Sequence, residues 1–139
     1  MNIDLTTDFG AQVERRLKME EIVWLTTVRP SGVPEPSPVW FYWDGSTILI
    51  YSMPGKTKLA SIGANSPVAL NFNSSASGGD IVVLTGEARI DPSAPPAHLM
   101  PEYLEKYEKP IARIGMTPDT FAKGYSVAIR VTPTTMRGF

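Results

Sequence analysis

The chain contains no cysteine. Disulfides, thiolate nucleophiles and cysteine metal sites are therefore excluded, and a reducing compartment is expected. Histidine occurs once, at His98, so a multi-histidine metal site is excluded by counting. His98 lies among Pro95, Pro96 and Pro101, a composition that reads as a surface loop or a helix start. Net charge is nearly absent: 13 Lys and Arg stand against 14 Asp and Glu, giving −1. Without a basic field, neither nucleic acid nor an anionic membrane surface is an expected partner. No apolar run approaches the ~20 residues of a membrane-spanning helix. Met1 to Gly10 has no basic stretch followed by an apolar core. A secretory leader is not expected there, and a cytoplasmic location is.

What remains is an ordinary globular composition. With 139 residues, 42% of them hydrophobic, the chain suits a single domain over 1–139 with a normal core. Neither an internal repeat nor an inter-domain linker interrupts it.

Periodicity divides the chain. Phe9, Val13 and Leu17 recur every four positions and predict a helix from Asp8, as N-cap, to about Glu21. The pattern then becomes extended. Ile22 to Val28 is rich in β-branched and aromatic residues, and Arg29-Pro30-Ser31-Gly32 is a turn signal. Val33 to Trp43 follows as a second strand, which Pro34, Pro36 and Pro38 restrict to an edge or an irregular entry. Asp44-Gly45 predicts a hairpin into a third strand, Thr47 to Ser52. A short helix is expected over Lys56 to Ala64, a fourth strand over Pro67 to Asn73 and a fifth over Asp80 to Ile90. A second helix is expected from about Pro96 to Lys109, with Pro110 ending it. Thr117-Pro118 reads as an N-cap and first helical residue of a short turn through Phe121. Tyr125 to Thr132 alternates cleanly and makes a sixth strand. About six strands on short connections imply antiparallel pairing, and closing them into a barrel removes exposed edges. The fold class expected is mainly β, a barrel with small helices.

Two segments carry chemistry. In Tyr51-Ser52-Met53-Pro54-Gly55-Lys56-Thr57-Lys58 a strand ends on a hydroxyl, a Pro-Gly turn follows, and lysines open a helix. Unpaired N–H groups and the helix dipole favour an anion there. Lys56 and Lys58 add charge, and Ser52 and Thr57 add hydroxyls, enough for one phosphate. The same residues also read as a solvated helix start. In Ser37 to Tyr42, a strand with prolines leaves backbone groups free for the edge of a flat heterocycle, with Trp40 or Tyr42 beside it. These aromatics equally suit a core or a dimer interface. No Gly-x-Gly-x-x-Gly fingerprint occurs, so a Rossmann cofactor site is unsupported.

The order of these pieces resembles the pyridoxamine-phosphate-oxidase-like split barrels, and within them the branch using the deazaflavin F420. The likeness rests on Thr26-Thr27-Val28, Gly32-Val33-Pro34, Pro38-Val39-Trp40-Phe41, Asp44-Gly45, Tyr51-Ser52, Lys56 to Lys58, Asn65 to Leu70, Gly79-Asp80, Thr85 to Ala88 and the C-terminal YSVAIRVTPTTMRGF. It implies an FMN-binding split-barrel fold, hydride transfer to a small organic acceptor and a homodimer with two cofactor sites. It also implies that Ser52, Lys56, Thr57 and Lys58 hold the cofactor phosphate. Pro38, Val39, Trp40 and Phe41 would line the ring, beside Tyr51. Arg137 would reach the partner's site. Two departures stand out. Thr57-Lys58 replaces the Arg-Lys pair of classical flavin binders, and Thr134 to Phe139 has no Arg-x-His element. Pyridoxamine-phosphate oxidation is therefore not expected. FMN in place of F420, a non-catalytic carrier, and a haem-handling protein using His98 or a tyrosine remain as alternatives.

Overall fold

Three prolines at alternate positions fix one edge of the molecule. In the computed structural model, which describes residues 3–139, they lie in β2 (Pro34–Trp40). β2 is hydrogen-bonded to β1 (Ile22–Val28) alone, with Pro34, Pro36 and Pro38 opposite Val28, Thr26 and Trp24. Residues of one parity point their N–H groups the same way, so the missing donors fall together on the unpaired side and block further strand addition.

The elements after β2 are β3 (Tyr42–Trp43), β4 (Ile48–Ser52), α2 (Thr57–Ala64), β5 (Pro67–Asn71), β6 (Val82–Ile90), α3 (Pro101–Arg113), α4 (Pro118–Gly124) and β7 (Val127–Gly138). α1 (Asp8–Met19) precedes β1. The strands form one antiparallel sheet in the order β2-β1-β5-β6-β7-β4-β3. It curls until β2 approaches β4, and so forms the split barrel.

Apolar side chains fill both sides of this curl. Val23, Leu25, Phe41, Ile48, Ile50, Leu70, Leu84, Ile129 and Val131 pack inside it, capped by Val13 and Leu17 of α1. Outside β4 and β7, Leu49, Tyr51 and Ala128 pack under Tyr103, Tyr107 and Ile111 of α3 and Phe121 of α4. β4 is buried on both faces, which is why Ile48 to Tyr51 is uninterruptedly apolar. Each such side chain taken from water stabilises the fold by about 1.5–3 kcal/mol before ordering costs.

Several boundaries differ from the sequence reading, each for a local reason. α1 is capped by Thr7, whose hydroxyl accepts from Gly10 N–H at 2.9 Å; Asp8 is the first-turn acid that the helix dipole favours. α1 ends at Met19 rather than Glu21. The second extended segment breaks at Phe41, so there are seven strands rather than six. β5 stops at Asn71 and β6 starts at Val82. The region after Pro96 divides into a 3-10 turn (Ala97–Leu99) and α3. Pro110 lies inside α3 instead of ending it. It falls in the last turn, where its missing N–H costs one bond, and its ring is buried. Thr117 caps α4 as expected, in a capping box with Thr120, but α4 runs on to Gly124. β7 extends to Gly138, past a register shift opposite Thr85 and Gly86. There a Cβ on Gly86 would lie 2.4 Å from the Thr132 carbonyl, so glycine is required.

A buried ion pair ties the strand ends. Arg130 of β7 donates to Asp91 at 2.7 Å and to the Thr47 hydroxyl at 2.9 Å. Asp91 also accepts from the Ser93 hydroxyl at 2.6 Å. These bonds to Ser93, then to Arg130, hold the Asp91 carboxyl well below the ordinary carboxylate range.

Candidate functional site

The C-terminal ends of β2 and β4, the start of α2 and the helical layer enclose a cleft of about 360 Å³. Its lining includes Pro38, Val39 and Trp40 from β2, Tyr51 and Ser52 from β4, and Lys56 and Lys58 from the α2 entry. Ile22, Met53, Ile114, Phe121 and Tyr125 complete it. Seven of the residues expected from sequence therefore meet in one place.

Part of the cleft lining is cationic. Lys56 is the N-cap of α2 and makes no side-chain capping bond. The N–H groups of Thr57 and Lys58 open the helix, where no intrahelical acceptor exists for them. Neither lysine forms a salt bridge among the described residues. Burial, and then the neighbouring Lys56 charge, lower the Lys58 ammonium below the ordinary lysine value. An ammonium in that position gains from any anion that enters. No Asp or Glu lines the cleft to supply one.

Another part of the lining is aromatic. Trp40 stacks on Tyr107 at 4.9 Å and on Phe121 at 5.6 Å, and Phe121 stacks on Tyr125 at 4.5 Å. Trp40 thus lies against two aromatic rings of the helical layer while it lines the cleft. Tyr51 donates its hydroxyl to the Pro95 carbonyl at 2.6 Å. Burial pushes its phenol up to about 12, so it stays protonated at neutral pH.

The remaining expected residues sit differently. Ser52 reaches the cleft, but its hydroxyl hydrogen is given to the Met53 carbonyl at 2.9 Å. Thr57 lines an adjoining groove with Thr27, Glu35, Pro36, Ser37 and both lysines. Phe41 is fully buried in the barrel core. Its backbone is engaged as well. Phe41 N–H donates to the Tyr107 hydroxyl at 2.9 Å, and its carbonyl accepts from Lys106 at 2.8 Å. Arg137 lies on β7 opposite Val83, exposed and away from this cleft. Met53, Phe121, Tyr125 and Ile114 were not singled out from sequence. The capped Thr117-Pro118 start marked the helix carrying Phe121, but no local signal aimed its ring at Trp40.

The pyridoxamine 5'-phosphate oxidase family profile matches residues 9–139. The chain belongs to this family. No curated protein sequence matches it. Among solved structures, the chain is 25% identical to an F420 reductase, covering 89% of this chain and 94% of that one, with a TM-score of 0.67. General Stress Protein 26 from Bacillus anthracis is 17% identical, covering 94% and 92%, with a TM-score of 0.66. HutZ, a haem storage protein from Vibrio cholerae, is 11% identical, covering 92% of each chain, with a TM-score of 0.65. Solved structures of this fold include an F420 reductase and a haem storage protein, so function must be argued from the cleft.

Proposed function

We propose that the cleft binds the deazaflavin F420 and that the protein is an F420-dependent reductase of a small organic acceptor, acting as a homodimer. The observation that carries this reading is a pair of lysines without counter-ions in the lining of a largely apolar cleft that also holds Trp40, Phe121 and Tyr125. Such a site accommodates a phosphate at one end and a planar ring at the other. The 25% identity to an F420 reductase supports the deazaflavin over other rings.

When bound, the cofactor supplies the hydride chemistry. The chain's residues bind and orient. Lys56, Lys58 and the first N–H groups of α2 hold the phosphate. Val39, Trp40 and Tyr51 fix the ring's edge. Ile22, Met53, Ile114 and Phe121 exclude water and leave an apolar face for the acceptor. Rate would then come mainly from proximity. Oxidation of reduced F420 by a nitroaromatic or enone acceptor, faster with protein than without it, tests turnover. A mass near twice 15.2 kDa in light scattering tests the dimer.

A second reading keeps the ligand and removes turnover. It is favoured by a cleft lining without Asp, Glu or His. Binding with no acceleration above free reduced cofactor would select it. For the haem reading, His98 lies outside the cleft, which leaves Tyr51, already bonded to the Pro95 carbonyl, and Tyr125 as the candidate ligands in its lining.

A further inference from the structure

The cleft has a neighbour. It reaches the end of β4, and a groove of about 320 Å³ lies at the start of β7, the strand hydrogen-bonded to β4. Tyr51 lines both. Its register partner Ala128 lines the groove, and so does Val127, the partner of Ser52 in the cleft. Paired strands stand about 4.8 Å apart, so the two linings adjoin. Tyr125 of the cleft is also followed in the chain by Ser126 of the groove. The Tyr51 side chain spans the junction, its hydroxyl donating to the carbonyl of Pro95, a groove residue.

The groove is apolar and neutral. Ile90, Pro92, Pro95 and Pro96 are exposed along it. The prolines carry no N–H to donate. Asp91 is the one carboxylate in its lining among the described residues, and it is buried and bonded to Arg130 and Ser93. Size gives the groove a use. The cleft, at about 360 Å³, is near the lower bound of sites for one small molecule, about 300–1,000 Å³. Hydride transfer requires it to hold a cofactor ring with an acceptor against that ring, reacting atoms about 3–3.5 Å apart. Most of any acceptor larger than one small ring then lies outside the cleft. The groove containing Thr57 shares both lysines and so extends the phosphate site. The groove containing Ile90 is the apolar extension.

We propose that the acceptor is an uncharged molecule with an extended apolar tail, its reducible head in the cleft and its tail in the groove at the start of β7. This proposal rests on the cleft holding the cofactor. Ile90 and the three prolines cover the tail, and Tyr51 lies between head and tail. Each methylene fully buried tightens binding about fourfold, the equivalent of about 0.8 kcal/mol. A charged tail end gains nothing there, because Asp91 and Arg130 already satisfy each other.

The test is calorimetric and needs no turnover. Protein loaded with oxidised F420 is titrated with 4-methyl-, 4-butyl- and 4-hexylnitrobenzene. Three methylenes at up to about fourfold each should tighten binding at least tenfold from methyl to butyl. 4-(4-Nitrophenyl)butanoate, with a carboxylate on its tail, should bind at least tenfold more weakly than the butyl compound. Ile90→Glu and Ala94→Glu each put a carboxylate in the groove and lie outside the cleft. Each should remove the gain from chain length and leave the Kd for F420 unchanged. Affinity independent of chain length, or a gain that survives both substitutions, overturns the proposal. A flat series in the wild type with a halved mass for Ile90→Glu in light scattering would give the groove to a second copy, and also overturns it. Equal binding of the butanoate overturns the uncharged tail. Failure of F420 to bind overturns the cofactor reading and this proposal together, whereas F420 binding with a flat series overturns this proposal alone.

Discussion

Replacing Tyr107 by Phe removes a single oxygen from the contact between the helical layer and the strand that floors the cleft. That oxygen accepts from Phe41 N–H at 2.9 Å and lies within donating distance of the Glu21 carbonyl, 2.7 Å, and the Phe41 carbonyl, 2.9 Å. The Phe41 carbonyl keeps Lys106 as a donor. Glu21 is exposed, so water can replace its lost partner. Phe41 N–H is buried and has no substitute, and an orphaned buried donor costs about 1–3 kcal/mol. The ring is retained, so the stack on Trp40 and the burial of residue 107 persist. The expected loss is therefore about 2 kcal/mol, far below the 3–5 kcal/mol of deleting a large buried aromatic. Urea unfolding monitored by tryptophan fluorescence measures it, with an unchanged slope showing that the folded state is equally compact. A loss under about 0.5 kcal/mol would mean that this hydroxyl does not secure β2. A loss above about 4 kcal/mol would mean that its role is packing.

Lys58→Ala should weaken binding of a phosphate-bearing cofactor by about 1.5–3 kcal/mol, roughly 12- to 150-fold in Kd. Fluorescence titration reads this, and an unchanged Kd would remove Lys58 from the site. Asp91→Asn should destabilise the fold by about 2–3 kcal/mol, because Arg130 loses its most buried partner. The pH dependence follows in sign. The Asp91 carboxyl is depressed in the folded state, so its contribution is present above the unfolded value of about 3.9 and is lost as pH falls through the folded value. Between pH 5 and 2 the wild type should lose more stability than the variant. Parallel acid profiles would contradict the assignment.

Much of this molecule was legible in its sequence where one residue type has one physical use. The alternate prolines restricted their strand to an edge or an irregular entry, Asp44-Gly45 signalled a hairpin turn, and Thr117-Pro118 read as a helix start. The strand ending in Ser52 and the helix start at Lys56 read either as an anion site or as a solvated helix start, and the structure brings Ser52, Lys56 and Lys58 to one cleft. What escaped was tertiary. Phe41 reads like its neighbours Trp40 and Tyr42, but its position on the inner face of the curl sends it to the core. Pro110 reads as a terminator, yet a buried ring one turn from the end is tolerated. The β7 extension was hidden because Pro133 and the threonines after it mimic a turn, whereas β6 supplies a partner for them. Ser52 was expected as a donor, and only coordinates show its hydrogen given to Met53.

The central claim is that the Lys56–Lys58 cleft holds a deazaflavin cofactor. Equilibrium titration of the protein with oxidised F420 and with FMN in parallel, read by fluorescence, tests it most directly. The expected result is saturable one-per-chain binding of F420, markedly tighter than FMN and weakened by Lys58→Ala. Tight FMN binding with weak F420 binding would overturn the choice of cofactor while keeping the site. Binding of neither would reduce the cleft's lysines to a solvated helix start and contradict the account.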